Sequence, residues 1–440
     1  MNDVHRPGDP RYDELRRSLN PSLDPRPAMV VEALRAADVQ AAVRAARDRD
    51  LRVAVQATGH GARESYRGGV LVNTSAMSTV LVDPDRRLAR VGPGATWAQV
   101  LAAASPFGLA PLSGSSPSVG VTGFTLGGGV GWLSRKHGFA ADSVVRAEVV
   151  TATGDLVSTG PDEHPDLFWA LRGGGGSVGL VTALEFRLHP VARVYAAMSY
   201  FPVERAAQTL ARYRQWVDEA PDELSTAVLL TRLADSAEGP AALRGRRVLA
   251  LRMMHLGEPE EAERLIRPLR AAAGPALFEG FRPAHYAQVA MGGTAARHLD
   301  LLGELSDPVI DFIVEAGRDE GLGISTIEIR HWGGAMADPG PGAGPVGHRD
   351  VPFSVIADSA GPALVETLRP HATGGSFLNF LSDTGRTESA YTPADFRRLR
   401  EVKAAYDPDS VFSRGHSIPP LTRRTPVRDR PDRYRDARRA

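Results

Sequence analysis

Apolar positions along this chain recur at two periods, and the change from one to the other marks out its elements. From Ala28 the pattern predicts a strand over Met29–Glu32, then a helix in which Val39, Ala42, Val43 and Ala46 form a stripe at helical spacing, with Asp38 as its N-cap. Strands are expected at 52–56, 70–72, 78–82 and 88–91, followed by a helix over 96–104 capped by Thr96. The segments 143–152 and 181–188 alternate as half-buried strands do. Beyond His189 and Pro190 the texture changes. Helical stripes at 204–219 and 258–273 interleave with strands at 226–232, 247–253 and 325–331, an order that predicts an antiparallel sheet with helices on one face.

The expected fold class is α+β. Residues 1–192 form the first part of one domain, 193–370 a separate substrate domain built on the antiparallel sheet flanked by helices, and 371–420 a return to the first domain. Residues 421–440 read as a disordered basic tail: from Thr422 onward they carry eight arginines against three aspartates and no apolar period. The Pro/Gly-rich run 337–346 is either a solvated connector or a mobile lid over a pocket.

Composition removes several chemistries. With no cysteine in the chain, disulfides, thiolate nucleophiles and Cys-based zinc or iron–sulfur sites are excluded. The formal net charge of +0 gives no electrostatic reason to expect nucleic acid or an anionic membrane as partner. No stretch approaches the roughly 18 apolar residues of a spanning helix, and the N-terminal residues lack an export-signal pattern, so a cytoplasmic location is expected. Lys136 and Lys403 are the only lysines, and arginine carries the rest of the positive charge.

The candidate chemistry lies in the glycines and in one histidine. His60 follows the strand at 52–56 on a Thr58-Gly59-His60-Gly61 turn, which presents an imidazole where another large group can approach the backbone. Downstream lie Gly127-Gly128-Gly129-Val130-Gly131, in a longer run that starts at Val119, and a second cluster over 172–179. The second formally matches G-x-G-x-x-G. A helix precedes it and a strand follows, however, which inverts the dinucleotide fingerprint, so a nicotinamide site is not expected. Together the clusters predict a cradle of bare N–H groups for a large phosphate-bearing cofactor, with His60 as a point of attachment.

At these residues the sequence resembles the berberine-bridge-enzyme-like FAD-linked oxidases of the vanillyl-alcohol-oxidase superfamily. The likeness runs over residues 29–190 and 371–420, on the motifs TGHG (58–61), SGSSPSVGVTGFTLGGGVGW (113–132), DLFWALRGGGG (166–176) and YDPDSVF (406–412). It implies a two-subdomain FAD-binding domain and an FAD bonded at its 8α-methyl to the ring of His60. Many members add a second bond from a cysteine just before the Pro-x-Val-Gly run. Here Ser116 stands at that position, so attachment through His60 alone is implied. By the same resemblance Ala57, Thr58, Gly59, His60, Gly61, Ser113, Gly114, Ser118, Val119, Gly120, Gly123, Gly127, Gly128, Gly129, Gly131, Gly174, Gly175 and Val181 are expected against the cofactor.

The family also implies an oxidase cycle, in which hydride passes from a small organic substrate to flavin and dioxygen takes the electrons as hydrogen peroxide. Hydride loss from a carbon bearing a hydroxyl needs a base as well. Sugar-oxidising relatives often use a tyrosine in a Tyr-x-Asn-(Phe/Tyr) motif. This chain has Phe377-Leu378-Asn379-Phe380, so that base is missing. Glu328 is the replacement candidate, because strand alternation puts it on one face with Arg330, facing either a pocket or solvent. Tyr391 and His331 are secondary candidates, and His416 is expected to pack. The leading expectation is an oxidase of a secondary metabolite or xenobiotic. A sugar or small-alcohol oxidase using Glu328, and a flavin-bearing drug-binding or resistance protein, stand beside it.

Overall fold

Short valine-rich runs build a first sheet in the order Val4–His5, Met29–Glu32, Val70–Asn73, Val53–Gln56, the last three strands parallel. The computed structural model describes residues 4–235, 240–290, 294, 296–319 and 323–421, so the expected basic tail lies, past Leu421, outside the described residues. Parallel strands need a crossover. Helix Ala36–Arg47 provides it and lays Val39, Ala42, Val43 and Ala46 against the sheet. Asp38 is not the N-cap: Arg35 takes that place, and the Asp38 carboxylate reaches back from the first turn to accept the N–H groups of Leu34 and Arg35 at 3.1 and 3.2 Å.

A second sheet is antiparallel, in the order Val80–Asp83, Leu88–Val91, Leu180–Arg187, Val144–Val150, Leu156–Thr159. Helix Trp97–Ala104 packs on it. Its start is fixed at Thr96, whose N–H donates to Gln99 Oε1 at 2.9 Å.

The third sheet has seven antiparallel strands: Arg282–His285, Arg193–Pro202, Arg247–His255, Leu224–Arg232, Thr326–His331, Phe353–Ala357 and His298–Leu302. Helices Ala206–Trp216, Pro259–Ala273, Asp307–Arg318 and Pro362–Leu368 cover one face, where Leu251, Ile327 and Ile329 meet Leu210, Ile266 and Ile313. The opposite face is not left to solvent. Ala227, Leu229 and Ala250 pack against Leu112, Trp132 and Leu133 from the first part of the chain.

Two buried cations hold these layers in place. Arg135 reaches out of the first part and donates to the carbonyls of Leu224 (2.8 Å), Ala220 (3.0 Å) and Trp332 in the third-sheet region. Lys403, on helix Pro393–Tyr406, donates to Ser177 O at 2.6 Å, Phe412 O at 2.9 Å and Asp407 Oδ2 at 2.5 Å. Asp407 in turn accepts the N–H groups of Val411 and Phe412 at 2.7 and 2.9 Å. The YDPDSVF segment thereby fastens the C-terminal return onto the second glycine cluster. No helix among the described residues is long and apolar enough to cross a membrane.

Candidate active site

Strand Val53–Gln56 leads into the His60 turn. Gly59 has φ 76°, in the left-handed region, and a Cβ on it would press on Ser18 Cα at 3.0 Å. The turn leaves its backbone unpaired: the N–H groups of Ala57, Thr58, Gly59, His60 and Gly61 meet no acceptor among the described residues. A run of such groups forms an anion-binding concavity. Facing it is the segment 116–123, for a Cβ on Gly120 would lie 3.4 Å from Thr58 Oγ1. The N–H groups of Gly120, Thr122 and Gly123 are likewise without acceptors among the described residues, and the buried Thr122 Oγ1 has no partner. Nothing stands within 4 Å of a Cβ built on Gly61 or Gly123. Unpaired donors and side-chain-free backbone of this kind fit a cofactor with a pyrophosphate and a hydrogen-bonding ring, as FAD has.

The His60 ring sits at the centre of this arrangement. Its Nε2 lies 2.8 Å from Ser118 Oγ, which lies 3.4 Å from Ser116 Oγ. Nδ1 has no partner among the described residues. One side of the residue is open to solvent, yet the protein mass around the ring lowers its pKa by desolvation, which keeps it neutral at pH 7.

Within the two glycine clusters, six of the glycine N–H groups bond to protein. Gly127 and Gly128 donate to Gly123 O and Thr125 O at 3.3 and 3.0 Å, and Gly129 and Gly131 to Asn379 Oδ1 and Ser134 Oγ, both at 2.9 Å. Gly174 donates to Ala170 O and Gly175 to Leu126 O, both at 2.9 Å, so the second cluster is tied to the first. These positions are glycine because neighbours crowd them. A Cβ would come within 2.6 Å of Asn379 Nδ2 at Gly127, 2.6 Å of the Phe124 ring at Gly114, 2.0 Å of Ser113 O at Gly131 and 2.4 Å of Ala170 O at Gly174. Ser113 spans the layers through its Oγ, 3.0 Å from Tyr286 Oη. Val119 uses its carbonyl to accept Trp97 N–H at 3.1 Å, and Val181 is buried in the core, paired with Val149.

Glu328 and Arg330 do share a face of strand Thr326–His331, and that face looks toward the first part of the chain. Arg330 Nε donates to Glu328 Oε1 at 2.8 Å, and Thr294 Oγ1 donates to Oε2 at 2.7 Å. Arg252 comes from the same face two strands away, since both arginines flank Ala227 in register. Their guanidinium carbons stand 4.5 Å (Arg252) and 4.9 Å (Arg330) from the centroid of the Trp132 ring. Burial pushes the Glu328 carboxyl up, but Arg330, Thr294 and Arg252 outweigh it and hold the group below its usual range. For Arg252, burial outweighs Glu328 and brings the pKa to about 10, still a cation at neutral pH. Glu328 is 0% exposed with both oxygens engaged, so it is not the open base expected.

The secondary candidates do not join this site. Tyr391 is buried, stacks on Phe396 and donates to Gly173 O at 3.3 Å, and burial raises its pKa. Its hydroxyl ties it to the second cluster. His331 points to the opposite face, where Arg135 Nη1 donates to its Nε2 at 3.1 Å and burial next to that cation lowers its pKa to about 3. His416 uses Nδ1 toward Thr387 Oγ1 and Nε2 toward Leu381 O, each at 2.9 Å, which is a packing role. The run at 337–346 is anchored at its end, because Val346 is buried against Gly128 and Gly173. Sequence reasoning missed Arg252, Trp132 and Asn379. For Arg252 there was a signal, a lone charge in the otherwise apolar stretch Val248–Met254.

Such a fold, with a donor-lined turn carrying a presented histidine, defines an FAD-linked oxidoreductase. A family described as "FAD binding domain" matches residues 27–160, and one described as "Berberine and berberine like" matches residues 376–419. Both family models thus match the parts of the chain that carry the glycine turn and the C-terminal return, and relatives matched over nearly the whole chain are FAD-linked oxidoreductases. The chain is 28% identical over 456 residues to (R)-6-hydroxynicotine oxidase of Paenarthrobacter nicotinovorans, covering 95% of this chain and 96% of that protein. An FAD-linked oxidoreductase of Bacillus subtilis is 27% identical over 448 residues, covering 94% and 96%. The crystal structure of 6-hydroxy-D-nicotine oxidase from Arthrobacter nicotinovorans superposes with a TM-score of 0.81 at 26% identity, covering 94% of this chain and 97% of that one. A chitooligosaccharide oxidase reaches the same TM-score of 0.81 at 21% identity, covering 95% and 97%, and shares the fold.

Proposed function

We propose that this protein is an oxidase whose FAD is bonded through His60 alone, and that it moves a hydride from a small organic substrate to that flavin. When bound, FAD supplies the two-electron chemistry, with dioxygen as acceptor and hydrogen peroxide as product. The observation that carries the reading is the state of the His60 ring: Nε2 is held by Ser118 and Nδ1 is unengaged, on a turn whose N–H groups lack acceptors. A glucooligosaccharide oxidase of 21% identity and TM-score 0.80, covering 96% of this chain and 98% of that one, is described as carrying a 6-S-cysteinyl, 8α-N1-histidyl FAD. The cysteinyl bond has no counterpart here, because the chain has no cysteine.

On the substrate side, the face bearing Arg252, Trp132 and Arg330 orients the molecule, with Glu328 holding Arg330 in position. A secondary metabolite or related compound bulkier than a simple sugar suits this reading. A sugar oxidase is disfavoured by Phe377, which offers no hydroxyl and is packed at 5.4 Å ring-centroid distance from both Phe139 and Trp332. Acid precipitation is expected to leave a yellow pellet, and the intact mass to equal the polypeptide plus one FAD less two hydrogens. A colourless pellet from flavin-loaded protein defeats the tether. Peroxide release across a panel of alcohols, phenols and nitrogen heterocycles tests the oxidase, whereas stoichiometric binding without turnover points to a binding protein.

A further inference from the structure

We propose that Ser118, backed by Ser116, prepares His60 for its own attachment: it holds the Nε2–H, turns the Nδ1 lone pair toward the cofactor and takes the Nε2 proton away as the bond forms. This rests on the reading of His60 as the tether. A neutral imidazole has one N–H and one lone pair, and the partner of one nitrogen decides which nitrogen carries which. Ser118 Oγ lies 2.8 Å from Nε2, a normal hydrogen-bond distance, and no described residue competes at Nδ1. With Nε2–H donating to Ser118, Nδ1 is left nucleophilic. Ser118 Oγ is 3.4 Å from Ser116 Oγ, and Ser118 is exposed, so a proton arriving there has a path to water.

The balance is as follows. A C–N bond forms between Nδ1 and the 8α carbon, one C–H bond of that methyl breaks, and the imidazole loses its Nε2 proton through Ser118. The methyl proton passes to water, and the electron pair of the broken C–H bond passes by way of the ring to dioxygen. One methyl hydrogen and one imidazole hydrogen thus leave as hydrogen peroxide, and the adduct is two hydrogens lighter than its parts. By the resemblance, Ser116 stands where many members of the family carry a cysteine. Here it extends the hydrogen-bond chain behind His60, so the same place in the fold serves the histidine bond.

The test uses the full-length chain as wild type, Ser118→Ala, Ser118→Thr and Ser116→Ala, each supplied with FAD. Total flavin is read from absorbance, and the covalent fraction over time from acid precipitation and intact mass. Ser118→Ala is expected to attach the FAD it binds about tenfold more slowly, the rate being normalised to flavin bound, which reflects the loss of one hydrogen bond to an ionising group. Ser118→Thr restores most of the rate because it keeps the hydroxyl, and Ser116→Ala has a smaller effect. Attachment by Ser118→Ala at the wild-type rate overturns the proposal, and so does a Ser118→Ala protein that binds no FAD, since the serine would then serve binding. A wild type that releases all its flavin in acid overturns the His60 tether itself, and this inference with it.

Discussion

Complete burial of Glu328 among Arg330, Arg252 and Thr294 separates two roles that one carboxylate on a strand can play. A general base must reach a substrate proton, whereas both oxygens of Glu328 are engaged by Arg330 and Thr294. As the counter-ion of two buried guanidiniums it does a different job. Glu328→Ala takes the carboxylate from the buried Arg330 and is expected to lower stability by about 3–5 kcal/mol in urea unfolding. A catalytic base would instead give a Glu328→Gln variant of unchanged stability and negligible kcat, and that result would reverse the assignment. At His60 the direction differs. His60→Ala removes one presented side chain from an open turn, so the protein is expected to fold, to release its FAD on acid treatment and to be reduced by substrate more slowly in stopped-flow.

Among the elements, the strands and helices with a clean period were legible in the chain, and the loops were not. Residues 247–253 and 325–331 alternate because each side chain must choose a face, and both segments are strands here. The glycine clusters looked like ligand loops because close approach of anything demands glycine. At Gly129 protein approaches: Asn379 accepts from the Gly129 N–H and donates to Phe124 O, each at 2.9 Å. That contact joins residues far apart in sequence, and no local pattern announces it. Asn379→Ala is expected to lower stability by about 1–3 kcal/mol and to speed hydrogen exchange at the Gly129 amide. Unchanged protection there would show that the asparagine is not what holds the cluster.

Across the whole molecule, histidines kept neutral by burial make the fold sensitive to acid. His189 and His331 are brought to about 3, by burial first and then by His137 and Arg135 respectively. His137, His255 and His416 are also lowered, chiefly by burial. Because these folded-state values lie below the unfolded value near 6.5, the unfolded chain binds more protons, and stability falls as pH drops through 6.5 toward 3. Between pH 7 and 5 each of the two most shifted rings costs on the order of 1–2 kcal/mol. Urea midpoints across that range are expected to fall steadily, and His189→Asn is expected to flatten part of the slope. A flat profile would show that these rings gain partners when protonated.

By itself the sequence determined the periods of the elements, the absence of cysteine chemistry, and a histidine on a glycine turn, which with three further motifs carries a resemblance to FAD-linked oxidases. Those features are local: they depend on side-chain spacing and on what a backbone without Cβ can do. Tertiary structure alone decided that donors such as those of 57–61, 120, 122 and 123 stay unpaired, while the glycines at 127–131, 174 and 175 bond to protein. It also brought Ser118 to Nε2 of His60, and set Arg252 beside Arg330 over Trp132 from strands distant in sequence. Such pairings follow from strand register and from the packing of one layer on another, and a single chain read in order contains neither.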